Sequence, residues 1–314
     1  MKTVLLAMCL PTFASLPMTQ ARRQPIIDVH LHAYPSFPPP ANPIWNAVPK
    51  TLSLSPAASP VDHLRATLQE MDRYNIVLGV VSGPDEAVLR TWHSAAPGRF
   101  IGGCWLQVGA TPKPSVGDLR RAVQDGICKV LGELNLAYEG VSPDDSRLEP
   151  YYDLAEELGI PVGLHSSLGP PGTPYFHAPR FRVSLGDPKL LEPVLLRHPR
   201  LKFYLMHAGH PYLEATKAIM AVYPQVYADV GVISWVLPRK EFYRYLEALI
   251  DAGFGERLMF GSDQVFWPRA IGLAVETLEA APFLNEQQRR DIFYNNAARF
   301  FGLTEHAIAK HHAK

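Results

Sequence analysis

Three stretches, Glu157–His165 (ELGIPVGLH), Arg197–His207 (RHPRLKFYLMH) and Tyr223–Gly231 (YPQVYADVG), share one rhythm. A helical pattern closes on a Gly or Pro break, and a short β-branched or aromatic run follows at once. Working outward, the same alternation covers the chain. The apolar runs are Ile26–His32, Ile76–Ser82, Phe100–Val108, Cys128–Leu136, Pro161–Ser167, Leu201–Gly209, Val226–Val232 and Leu258–Asp263, eight in all. Helical patterns between them include Val61–Arg73, Val116–Asp125, Leu148–Leu158, Pro188–Arg197, Leu213–Tyr223 and Glu241–Ala252. Such alternation predicts βαβ units and a parallel sheet. Eight pairs without a tandem repeat point to an α/β fold, a single-domain (β/α)8 TIM barrel. A doubly wound open sheet is the rival, but it usually carries a glycine-rich phosphate turn after its first strand. Here that strand ends in His30-Leu31-His32. Asn285–Phe301 reads as a closing amphipathic helix, and the tail HAIAKHHAK after it as frayed.

Composition excludes several classes. Of 314 residues, 47% are hydrophobic and 19% charged, enough to bury a sizeable core and too apolar for a disordered chain. Lys+Arg and Asp+Glu are both 30, so no electrostatic footprint for nucleic acid exists. Proline, at 30 residues, is about twice its average usage. It concentrates between Pro35 and Pro60, which reads as a long ordered loop over the barrel mouth.

The first 21 residues read separately, as a signal peptide. Lys2 gives a positive start, Thr3–Leu16 is mostly apolar yet too short to span a bilayer, and Thr19 and Ala21 place small residues before Arg22. The barrel then occupies residues 22–314 of an exported, periplasmic or secreted protein, or of a cytoplasmic one if the segment is retained. No later stretch is long enough for a membrane span. The remaining cysteines, Cys104 and Cys128, sit in strand patterns and read as inert packing.

The chemistry lies where polar residues end apolar strands. His30 and His32 alternate on strand one and so project together. Glu133 follows in strand four, His165 ends strand five, His207 strand six and Asp263 strand eight. In a barrel all strand ends converge on the C-terminal mouth, where active sites lie. Singly, each residue is better explained as a bonded core histidine or a helix cap. Six together are not, because uncompensated polar groups in a barrel core are costly. Imidazoles and carboxylates are the ligands of zinc-type divalent ions, so a metal site at the mouth is expected.

The motifs IIDVHLH, VGLH, YLMHAGHP and LMFGSDQ, with the terminal YNNAARFFGL, resemble the metal-dependent amidohydrolase superfamily. Within it they resemble the amidohydrolase-related branch that includes aminocarboxymuconate-semialdehyde decarboxylase-like proteins. The resemblance covers nearly the whole barrel. It implies a (β/α)8 fold and metal ligands at His30, His32, His165, His207 and Asp263. In mononuclear, decarboxylase-like members it implies one zinc on the His-x-His pair, the fifth-strand His and the Asp, with the sixth-strand His in catalysis. Binuclear members add a bridging residue at the end of strand four. Glu133 in LGELNL stands there, either as that bridge or as a partner that orients a ligand histidine.

The expected function is that of a metal-dependent hydrolase, in which a metal-activated water cleaves an amide, lactone or ester of a small organic substrate. Asp263 would move the proton, and His207 would hold a second ion or stabilise the oxyanion. The alternative is a metal-dependent non-oxidative decarboxylase acting on a small carboxylic acid; a third reading, a metal-binding scaffold, leaves an open ligand set unexplained. Zn2+, one or two ions per chain, is the expected cofactor. Partners are a small molecule and a possible homo-oligomer, with no nucleic acid. Specificity belongs to the loops after the strands. Tyr175, His177, Arg180 and Trp267 are the candidate substrate contacts, and Trp45, Arg182, Trp235 and Arg239 lie in the same loops. His210 reads as a loop residue or a substrate contact. His63, His93, His198, His306, His311 and His312 read as solvated.

Overall fold

The computed structural model describes residues 23–39 and 42–313. The expected signal peptide lies outside them. Eight parallel strands run β1 (Ile26–His32), β2 (Ile76–Gly83), β3 (Phe100–Cys104), β4 (Val130–Leu134), β5 (Val162–His165), β6 (Phe203–Met206), β7 (Val226–Asp229) and β8 (Leu258–Met259), each paired with the next in sequence. β1 also bonds to the segment after β8: Val29 N–H donates to Phe260 O at 2.9 Å and Asp263 N–H to His30 O at 2.7 Å. Those bonds bring the last strand round to the first. The (β/α)8 barrel expected from the alternation is the observed fold.

Between strands, helices form where the sequence supplies caps. Ser59 accepts from Asp62 N–H ahead of Pro60–Arg73, whose first helical residue is proline. Ser115 and Asp118 cap Val116–Gln124 reciprocally. Gly159, left-handed, ends Glu149–Leu158 immediately before β5. Glu86–Ala95, Leu213–Val222, Arg239–Leu249 and Ala270–Glu279 continue the ring. Most core residues belong to one large apolar cluster around the strands. A second joins Ile27, Val29, Val80, Val130, Tyr204, Met206 and Met259 to Tyr294, Ala297 and Phe300.

Several expectations need correction. Most strands end earlier than their apolar runs, because the chain leaves the sheet at the mouth. His207, Ala208, Val232 and Asp263 all take left-handed backbone there. The tail is helical from Glu305 to Ala313: Tyr294 lies against the rings of His311 and His312, and Ile308 packs on the second apolar cluster. His63 is fully buried rather than solvated, on the face of its helix that also carries Thr67 and Met71. His198 is buried too, its Nε2 3.2 Å from Glu149 and its ring against Tyr152. The proline-rich segment does cover the mouth. Trp45 packs on Phe266 at 5.0 Å and Trp267 at 6.2 Å, and its Nε1–H donates to Pro39 O. Cys104 and Cys128 are buried free thiols.

Candidate metal centre and active site

His30 is fully buried, and its Nδ1–H donates to Asp229 Oδ2 at 3.1 Å. Asp229 ends β7, and its other oxygen accepts from Gly231 N–H at 2.7 Å and His207 N–H at 3.2 Å. With Nδ1 held, His30 Nε2 faces Glu133 Oε2 at 3.6 Å and Asp263 Oδ1 at 3.8 Å. His32 Nε2 faces the same two oxygens at 3.2 and 3.0 Å. The backbone must come very close here. A Cβ on Gly231 would stand 2.7 Å from His30 Nδ1 and 2.9 Å from Asp229 Oδ1, so glycine is the residue that fits.

Glu133 divides the cluster. Its Oε2 serves His30 and His32, while its Oε1 lies 2.8 Å from His165 Nδ1 and 3.5 Å from His207 Nε2. His207 Nδ1–H donates to Gly231 O at 3.0 Å, which turns Nε2 toward His165 and Glu133. Asp263 completes the ring, with Oδ2 3.8 Å from His207 Nδ1. Two triads therefore share one carboxylate: His30, His32 and Glu133, and His165, His207 and Glu133.

The electrostatics follow from burial and mutual attraction. Burial opposes charge on His30, yet Asp263, Asp229 and Glu133 hold its pKa well above the ordinary value. His32 behaves alike: burial is outweighed by its bonds to Asp263 and Glu133, and its pKa rises to about 9. Burial acts against ionised Glu133 and Asp263, but the surrounding imidazoles, His30 foremost, keep both below the usual carboxylate range. His165 is lowered by burial and by His207 beside it. Burial alone pushes Asp28, which accepts from Ser262 N–H at 2.9 Å, up to about 7.

The donor set fits a divalent ion. Buried His30 Nε2 and His165 Nε2 have no hydrogen-bond partner among the described residues, and such atoms normally have one. Imidazole nitrogens and carboxylate oxygens left facing one another are what zinc-type ions take. His30, His32, Glu133, His165, His207 and Asp263 are the residues that would hold it.

Above the cluster opens a cavity of about 410 Å3, lined by Tyr34, Trp105, Tyr138 and Phe266, with Asn135, Gln107 and Glu139. His177 also lines it. Other candidate substrate residues lie elsewhere. Tyr175 projects into solvent at 86% exposure, Arg180 is exposed outside the cavity, and Trp267 is buried behind Phe266. These loops turn their side chains by local packing, which their sequence does not disclose. Trp235 is likewise buried, its Nε1–H donating to Ser262 O, and His210 packs on Tyr245 away from the cavity. Asp229 was not singled out in the sequence, although it too is a polar residue closing an apolar strand.

A family model for amidohydrolases matches residues 27–303. The chain belongs to the amidohydrolase family. Among curated proteins, Protein fluG of Emericella nidulans is 24% identical over 160 residues, which is 46% of this chain but 18% of fluG. Among solved structures, a TIM-barrel protein of Bordetella bronchiseptica is 20% identical, with a TM-score of 0.67 over 88% of this chain and 98% of that one. The 2,6-dihydroxybenzoate decarboxylase of Rhizobium is 18% identical, with a TM-score of 0.60 over 89% and 99%. A probable 2-pyrone-4,6-dicarboxylic acid hydrolase of Acinetobacter baumannii is 17% identical, with a TM-score of 0.60 over 88% and 99%. These likenesses show the fold. The amidohydrolase is an enzyme of a family that typically binds divalent metal.

Proposed function

We propose that this amidohydrolase is a zinc-dependent hydrolase that cleaves an amide, lactone or ester bond of a small organic substrate. The observation that carries the reading is the position of Glu133, with one carboxylate oxygen toward His30 and His32 and the other toward His165 and His207. A carboxylate placed between two histidine pairs suits a two-ion centre better than a single ion. Bound there, the metal supplies Lewis-acid polarisation of a carbonyl and a water acidified toward neutrality.

The chain's own residues do the rest. Asp263 keeps its carboxylate ionised among the imidazoles and so can take up a proton at Oδ1 and return it to a leaving group. Asp229 fixes the ring of His30, and Gly231 O fixes that of His207. Tyr34 and Tyr138, whose phenols burial and then the nearby carboxylates drive above their ordinary pKa, stay protonated and offer hydrogen-bond donors. The structural neighbours include proteins named as hydrolases and as decarboxylases, so the test must separate the two. Metal analysis of the zinc-loaded chain should give two ions, and a panel of aryl esters, lactones and anilides should be turned over. One ion per chain, with carbon dioxide released from an aryl carboxylic acid and no ester or lactone cleaved, would refute the reading.

A further inference from the structure

The walls of the mouth are aromatic, and beyond the residues of the centre and His177 the one ionisable group of its lining other than tyrosine is Glu139. Tyr34 stands edge-on to Trp105 at 5.9 Å and lies 4.5 Å from Phe266, while across the opening Tyr138 stands edge-on to His165 at 5.1 Å. A cavity of roughly 150 Å3 already admits benzene, so about 410 Å3 holds one substituted ring between these walls. The ionisable residues of the lining other than its histidines and tyrosines are Glu133, Glu139 and Asp263; no Lys or Arg lines it among the described residues. Two cations that attract Glu139, Arg180 and Arg147, stand outside the lining. Arg147 binds Asp145 and the carbonyls of Val108 and Gly109, and Arg180 is exposed. Glu139 is half-buried and accepts from Val108 N–H at 2.8 Å. What the walls offer besides aromatic faces is neutral: the amides of Asn135 and Gln107.

We propose that the mouth selects an uncharged aromatic substrate and rejects one that carries a carboxylate away from the bond to be cleaved. The inference rests on the hydrolase reading and narrows it to aryl lactones, esters or amides without a second acidic group. A carboxylate on the far side of the ring would lose its water, meet no guanidinium or ammonium to replace it, and face Glu139. A carbamoyl or hydroxyl group in the same place would find the amides of Asn135 and Gln107.

The test uses inhibitors that share one metal-binding head. Benzohydroxamic acid, its para-carbamoyl derivative and its para-carboxy derivative are titrated against the zinc-loaded full chain, with acetohydroxamic acid as the ringless control. The para-carbamoyl compound should bind roughly tenfold or more tighter than the para-carboxy compound, the size expected for a buried, unpartnered charge near a like charge. Glu139→Gln keeps the carbonyl that accepts from Val108 and should shrink that gap to about threefold or less. Benzohydroxamic acid should bind tighter than acetohydroxamic acid. Equal or tighter binding of the para-carboxy compound overturns the inference and leaves the hydrolase reading standing, and so does a ring that adds no affinity. Failure of every hydroxamate to bind in a zinc-dependent way overturns both.

Discussion

Asp229→Asn isolates one hydrogen bond in the centre. The asparagine carbonyl can still accept from Gly231 N–H and His207 N–H, at the 2.7 and 3.2 Å now spanned by Oδ1. Its amide group then replaces Oδ2, 3.1 Å from His30 Nδ1. Two N–H donors would face each other unless His30 moves its proton to Nε2. Nε2 is the atom directed at Glu133 and Asp263, so the tautomer that relieves the clash removes a ligand from the centre. Loss of such an orienting partner typically lowers metal affinity about 10- to 100-fold, or about 1.4 to 2.8 kcal/mol. Asp229→Ala, which offers no opposing donor, should weaken zinc less. It should cost about 1 to 3 kcal/mol of folding stability through the unpaired Nδ1–H and the two orphaned backbone amides. Zinc affinity is read by competition with a chelating dye, and stability by urea denaturation of the same samples. Zinc affinity within twofold of wild type in Asp229→Asn would sink the tautomer argument.

Three further expectations address other atoms of the centre. Glu133→Gln should lower the metal content from two ions to one; a wild-type content of one that the substitution leaves unchanged would point to the decarboxylase chemistry instead. Asp263→Asn keeps an oxygen toward His32 but cannot take up a proton near neutral pH, so turnover should fall about 10²- to 10⁴-fold with a smaller loss of metal; a near wild-type rate with an intact acidic limb in the pH profile excludes Asp263 as the base. Asp28 titrates near 3.8 when unfolded and about 7 when folded, so its contribution to stability is complete below the first value and lost as pH rises through the second. The loss reaches about 4 kcal/mol at most. Asp28→Asn should therefore reduce the fall in denaturation free energy between pH 5 and 8, and an unchanged pH dependence would mean that another group causes it.

The barrel is legible because its strands are apolar on both faces, and several of its helices close on a glycine or proline, as at Gly126, Gly159, Pro199 and Pro224. Six of the centre's residues were legible for a related reason: each has an ordinary explanation alone, but six polar residues closing apolar runs at one end of a barrel do not. Asp229 obeys the same rule in VYAD, but the apolar run continues to Val232, so in sequence Asp229 stands inside it and not at its end. His63 was misread because polarity was given more weight than position. Spacings of four place His63, Thr67 and Met71 on one helical face, and that face is buried. The cavity walls were not legible. That His177 and not Tyr175 lines the mouth is not written in the loop: His177 lies against Tyr138 and beside Ile44 of the proline-rich segment, contacts distant in sequence.

The same gap separates the apolar runs from the strands, and it bears on how the centre is built. Strand geometry sends successive side chains to opposite faces, so a regular strand running past the mouth would present only alternate residues to the centre. The chain instead turns left-handed at His207 and Asp263, and at Val232 after β7, where a β-branched residue is least at ease. Each such residue costs on the order of 1 to 3 kcal/mol and persists only where its surroundings over-determine it. Those surroundings are visible: Asp263 N–H is held by His30 O at 2.7 Å, His207 N–H by Asp229, and Val232 N–H by Ser262 O at 3.2 Å. All three anchors tie neighbouring strand ends together around the mouth. The bond that brings β8 round to β1 also holds Asp263, and the bond from His207 to Asp229 at the end of β7 holds His207, so the centre is aimed by bonds between neighbouring strand ends.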